Sequence, residues 1–270
     1  MSDDLDSLLS RLSTVELASV FLERMAEDVP TPSPDVSDRN LPFVLLAERA
    51  RGLYVNFQHS LSSPTEFAPL LAIRPLVELA ILVKWISLEP RLHGFLWIAD
   101  SDASELTHLD AVLMHAKLRG SPEPQLDLSH RSSREAVRAA ALEHLKAEGI
   151  NYGKNRAMPS VSRMVEEVEK AIPGHKIAMR DAYEYAYRTF SPWEHTDASS
   201  FNSTGQPTEG EGWVWLGDGN PLGAEAVRAI ATSMYAYILE VILKQLDNDD
   251  GAHLARMIRD YVVTRWIPPT

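Results

Sequence analysis

One stretch of the chain, PLLAIRPLVELAILVKWISL from Pro69 to Leu88, constrains the fold more than any other. It is apolar around nearly its whole circumference, so a helix built from it has to be enclosed by other elements on most sides. Arg74, Glu78 and Lys84 interrupt it. No run in the chain approaches the ~18 uncharged residues that would cross a membrane.

The remaining sequence supplies the enclosure. Of 270 residues 45% are hydrophobic, and their dominant period is helical. The spacing predicts helices over 5–27, 43–61, 92–118, 130–148, 160–172, 176–190, 222–246 and 251–266. A further helix opens at the Ser63–Glu66 capping box and runs to about Leu88, with Pro75 expected to interrupt and kink it. The 92–118 helix carries a candidate break near Asp100–Ser104, and Gly149 reads as the residue just past the 130–148 helix. The expectation is an all-α, multi-helix antiparallel bundle of eight to ten helices, with a Gly-rich loop or short hairpin near 203–220. The Pro-rich link VPTPSPDVSDRNLP divides residues 1–40, an acidic N-terminal helix and link, from a main bundle over 41–270.

The chain contains no cysteine, so disulfides, thiolate metal sites and cysteine nucleophiles are excluded. Its N-terminus lacks the basic-then-apolar order of a secretory leader, which points to a cytoplasmic protein with no membrane span. The formal charge is −12, from 26 basic and 38 acidic side chains. Such a balance counts against non-specific nucleic-acid binding, which needs basic side chains to displace counterions. The charge is uneven, however. Residues 131–163 hold seven bases (Arg131, Arg134, Arg138, Lys146, Lys154, Arg156 and Arg163) against three acids. This island reads either as a face for an anionic ligand or as a solvated helix face.

The densest group of reactive side chains is YRTFSPWEHTD, from Tyr187 to Asp197. Pro192 breaks any single helix through it. Ser191, Pro192 and Glu194 instead fit a capping box that starts a new helix, which makes Ser191 a cap rather than a nucleophile. Arg188 then ends one helix and His195 sits in the first turn of the next. A neutral His195 suits a general base, Arg188 suits charge stabilisation, and Tyr187 can donate a hydrogen bond. Glu105, His108 and His115 share a helix face, but the second Glu-x-x-His that a di-iron bundle needs is absent. No metal and no cofactor is therefore assigned. Arg74 and Glu78, at i and i+4, read either as a buried ion pair that fixes packing or as the lining of a polar pocket.

Arg188 and His195 enclose six residues, a pattern that resembles the Arg-x(4–6)-His motif of HEPN domains. Many of these helical bundles are metal-independent ribonucleases of toxin and phage-defence systems, and their site is often completed across a homodimer. Thr189 stands where that family usually carries Asn, Asp or His. The chain also resembles a family of uncharacterised helical bacterial domains with an Arg-x-x-x-Glu helix and a later Tyr-x-x-Phe-Ser-x-x-x-His segment. The matching residues are Arg74 and Glu78, then Tyr187, Phe190, Ser191 and His195. That resemblance covers roughly residues 40–245 and implies a bundle in which these side chains converge. Two functions follow as expectations. One is a HEPN-like ribonuclease acting through Arg188 and His195 on RNA guided by the basic island. The other is a non-enzymatic helical module that binds a small anionic ligand or a protein partner.

Overall fold

A computed structural model of the chain describes residues 15–33, 36–61, 68–120, 130–153, 156–172, 180, 183–184, 205–208, 212–215 and 223–266. Among them are eight helices: α1 (Val15–Ala26), α2 (Leu41–Ser60), α3 (Ala68–Leu88), α4 (Pro90–Leu118), α5 (Arg131–Ala147), α6 (Val161–Ala171), α7 (Gly223–Gln245) and α8 (Asp249–Trp266). Strands β1 (Gly205–Thr208) and β2 (Gly212–Trp215) pair antiparallel, Gly205 opposite Trp215 and Thr208 opposite Gly212. The protein is all-α with one short hairpin, placed where the Gly-rich segment predicts it.

The apolar stretch forms α3, and it is enclosed as its composition requires. Ile73, Leu76, Ile81, Val83, Trp85 and Ile86 have no exposed surface. Helices α2, α4, α6 and α7 pack against α3, and α7 also packs on α8, α2 and α1. Pro75 lies inside α3, which continues through it. Helix α1 follows residues 1–14, which lie outside the described residues, and its Ala18, Leu22 and Met25 join the same core as α2 and α7.

The helix ends follow local rules. After α5, the Ile150 N–H donates to the Leu145 carbonyl at 2.8 Å and the Gly149 N–H to Lys146 at 3.2 Å. Gly149 has φ +67°, the left-handed turn that glycine adopts without a Cβ penalty. Ser160 caps α6 by accepting from the Arg163 N–H. Between α3 and α4 there is only Glu89, and Pro90 opens α4, where a missing N–H costs nothing. The break expected near Asp100–Ser104 does not occur. Helix α4 runs unbroken across it because none of those residues is Gly or Pro, and the Ser104 hydroxyl bonds back to the Asp100 carbonyl within the helix.

A buried polar chain ties α1, α2 and α7 together. The Ser19 hydroxyl donates to the Val15 carbonyl at 2.9 Å, so its oxygen accepts from Tyr54 (2.5 Å) and from the Gln58 amide (3.0 Å). Tyr54 has then used its one proton, and it accepts from Thr232 at 2.8 Å. The order Thr232 to Tyr54 to Ser19 to Val15 satisfies every group in turn. Burial pushes the Tyr54 phenol pKa up, which keeps it a donor.

Candidate functional site

Tyr187, Arg188, Ser191, Glu194 and His195 all lie outside the described residues, as does the junction at Pro192. Arg180, in helical conformation, forks onto Glu169 of α6 at 3.1 and 3.0 Å. Of the other predicted site residues, Arg74 and Glu78 form the expected i, i+4 pair on α3 at 2.9 Å. Their side chains are 13% and 34% exposed, so the pair sits at the edge of the core and is not sealed within it.

Lys154 of the basic island lies outside the described residues, and five of the others fall into two kinds. Arg131 bonds Asp110 (2.9 Å) and Glu135 (3.0 Å), and Arg134 bonds Glu105 (2.8 Å) and approaches Asp102 (3.7 Å). The pairs to Asp110, Glu105 and Asp102 fasten α5 to α4, whereas Arg131–Glu135 lies within α5. Glu105 is thereby engaged in a salt bridge with Arg134. Arg163 pairs with Glu167 at 3.4 Å. For these three arginines the positive charge already has an acidic partner inside the chain.

Lys146 and Arg156 behave differently. Neither meets an acidic side chain among the described residues, and both line a pocket of about 360 Å³ where the α5–α6 connection folds back over the end of α5. Leu142, Leu145 and Ile150 supply its apolar wall, and Tyr152 supplies an aromatic one. The loop geometry that opens the pocket depends on its glycines. Besides Gly149, Gly153 has φ +116°, and its N–H is held by the Asn151 side chain at 2.9 Å. The described lining residues include no carboxylate.

This loop is fixed to the core by a relay of side chains. Glu167 on α6 accepts from the indole N–H of fully buried Trp85 at 2.7 Å and from Arg163 through its other oxygen. The Arg163 guanidinium lies 5.2 Å from the Tyr152 ring centroid and also donates to the Asn151 carbonyl at 3.4 Å. Burial, with Glu167 nearby, pushes the Tyr152 phenol up to about 12. Below Trp85, the His93 ring stacks at 3.9 Å and 4° between planes. Its Nδ1 lies 2.7 Å from the Trp85 carbonyl. A carbonyl only accepts, so Nδ1 carries the proton. The pocket wall at Tyr152 is thus braced through α6 to the most buried part of α3.

A second concentration of charge lies where α3, α7 and α8 meet. Glu240 is 8% exposed and accepts from Arg256 Nε at 2.8 Å and from Arg259 Nη1. Arg259 also lies 5.4 Å from the Tyr237 ring centroid. Lys84 approaches the same group, and its ammonium is pushed below the usual lysine range by burial. The two arginines closing on one buried carboxylate clamp α8 to α7.

Sequence reasoning included Lys146 and Arg156 in the island but did not separate them from their neutralised neighbours. It passed over Tyr152 and Asn151. The available signal was the pair of glycines bracketing Ile150, Asn151 and Tyr152, which marks a loop able to turn back on its helix. No known family model matches the chain, and comparison with curated proteins and with solved structures likewise finds no match.

Proposed function

We propose that the chain is a helical module that binds a small dianion of the phosphate type in the pocket between α5 and α6. One observation carries this reading. Lys146 and Arg156, two cations without acidic partners among the described residues, line a pocket of about 360 Å³ whose described lining has no carboxylate. That volume falls in the range of small-ligand sites, about 300–1,000 Å³. Two uncompensated positive charges match a dianion, and the guanidinium of Arg156 can bind it bidentately. Tyr152 offers a ring face or edge to whatever the dianion is attached to. The braced loop lowers the ordering cost of binding.

The test is calorimetric titration with inorganic phosphate and pyrophosphate, on the wild type and on a Lys146→Gln/Arg156→Gln double variant. Binding by the wild type at millimolar levels or better, weakened by roughly tenfold or more in the variant, is the expected result. Equal binding by the two, or none by either, refutes the reading. The ribonuclease reading requires Arg188 and His195 to act on RNA brought in by the island. With Arg131, Arg134 and Arg163 engaged by acids, it is the less supported of the two. RNA cleavage by the wild type that is abolished in His195→Ala would reverse that order.

A further inference from the structure

Residues 36–40 return to the bundle just ahead of α2, and α4 crosses the start of α2 there. The crossing is close because Gly94 has no side chain. A Cβ at that position would stand 2.5 Å from the Pro42 ring, nearer than carbon atoms approach one another. The contact brings one face of α4, carrying Arg91, Phe95 and Ile98 at i, i+4 and i+7, alongside Arg39 and Leu41. Between them lies a groove of about 960 Å³, which shares no described lining residue with the α5–α6 pocket.

The composition of the groove specifies its ligand. Half-buried Phe95, Ile98, Leu41 and Val36 form an apolar floor. Two guanidinium groups, Arg39 and Arg91, stand at the edge, and neither side chain has an ion-pair or hydrogen-bond partner among the described residues. Asp38 is the one acid among the described lining residues. Among the described residues, two cations against one carboxylate leave a single net positive charge, which matches a monoanion, in contrast to the two uncompensated cations of the other pocket. Arginine is also the side chain whose planar donor fork fits a carboxylate. We propose that this groove binds a small carboxylate bearing an apolar tail. The head group lies between Arg39 and Arg91, and the tail lies along Phe95 and Ile98. This site is independent of the phosphate-type site proposed above.

Octanoate serves as the probe, with 1-octanol (same tail, no charge) and inorganic phosphate (charge, no tail) as controls, titrated against the full chain and followed by calorimetry. The expected result is octanoate binding in the millimolar range or tighter, with 1-octanol weaker by roughly tenfold. The Arg39→Gln/Arg91→Gln double variant should weaken octanoate by about the same factor, and Phe95→Ala should weaken octanoate and 1-octanol alike. Lys146→Gln/Arg156→Gln should leave octanoate binding unchanged, so either site can fail without the other. The double variant alters only exposed side chains, and an unchanged far-ultraviolet circular dichroism spectrum verifies that it is folded. The proposal is overturned if octanoate does not bind below about 10 mM. It is also overturned if the arginine variant binds octanoate as well as the wild type does, or if 1-octanol binds equally tightly.

Discussion

Two stacked tyrosines, Tyr54 and Tyr235, show how much a single hydroxyl depends on its surroundings. Their rings lie 4.3 Å apart at 17°, and both are fully buried. The Tyr54 hydroxyl donates to Ser19 and accepts from Thr232, whereas the Tyr235 hydroxyl has no partner among the described residues. Removing one member of a satisfied network strands its neighbours, while removing an unpaired hydroxyl relieves a desolvation cost. Tyr54→Phe is therefore expected to cost about 1–3 kcal/mol. Tyr235→Phe should be neutral or slightly stabilising. Urea denaturation of the two variants checks this, and equal losses would contradict it. None of this asymmetry is visible in the sequence, where both residues are simply tyrosines within helices.

Among the elements, helix spans were largely legible because propensity, period and end signals act within a few residues of each other. Gly149 was predicted as the residue past α5 and has the left-handed φ that role requires. The break expected in α4 failed for a reason of the same scale: Asp100–Ser104 is polar, but it contains no residue that forbids a helix. The pairing of helices by charge was not legible. Glu240 on α7 holds Arg256 and Arg259 of α8, residues 16 and 19 positions away. With its carboxylate nearly buried, Glu240→Gln is expected to cost on the order of 2–3 kcal/mol, because two arginines and nearby Lys84 lose the buried charge opposing them, and exposed Asp260 is left to pair with Arg259. Arg256→Gln should cost within about 1 kcal/mol, since that side chain is 48% exposed. Denaturation midpoints that reversed this order would show that the clamp is not what joins the two helices.

For the molecule as a whole, the buried phenols set a pH dependence of stability. Burial raises the pKa of Tyr54, Tyr235 and Tyr237, and it raises Tyr152 to about 12. A phenol whose folded pKa lies above its unfolded value of about 10 favours the folded state through its neutral form. That contribution is complete below about pH 10 and is lost as pH rises through the folded value, because the unfolded chain releases its protons first. Lys84, with its pKa lowered by burial, acts in the opposite sense. It penalises the fold while charged, and the penalty fades as pH rises toward the unfolded lysine value of about 10.4. With four phenols against one amine, the stability measured by urea unfolding is expected to fall between about pH 10 and pH 12. Tyr152→Phe should make that fall shallower. A flat profile over the interval would contradict the assignment.

The candidate site was read in part. The island at 131–163 was visible as charge, yet charge alone does not tell an arginine that bonds its neighbour from one that faces open space. The acids engaging Arg131 and Arg134 include Asp110, Asp102 and Glu105 on another helix, at separations where sequence carries no proximity information. By itself the sequence determined that the chain is all-α, that the Pro69–Leu88 stretch is enclosed, that the loop after α5 turns at Gly149, and that Arg74 and Glu78 can pair. Each of these rests on interactions between residues a few positions apart, or on the free energy of removing apolar surface from water. Only the tertiary structure decided which basic side chains are neutralised and that Lys146 and Arg156 share a pocket with Tyr152. It also decided that Gly94 lets α4 cross Pro42 closely enough to form a groove beside Arg39 and Arg91. Those outcomes depend on how helices dock, and docking is settled by side-chain shape and charge meeting across elements far apart in the chain.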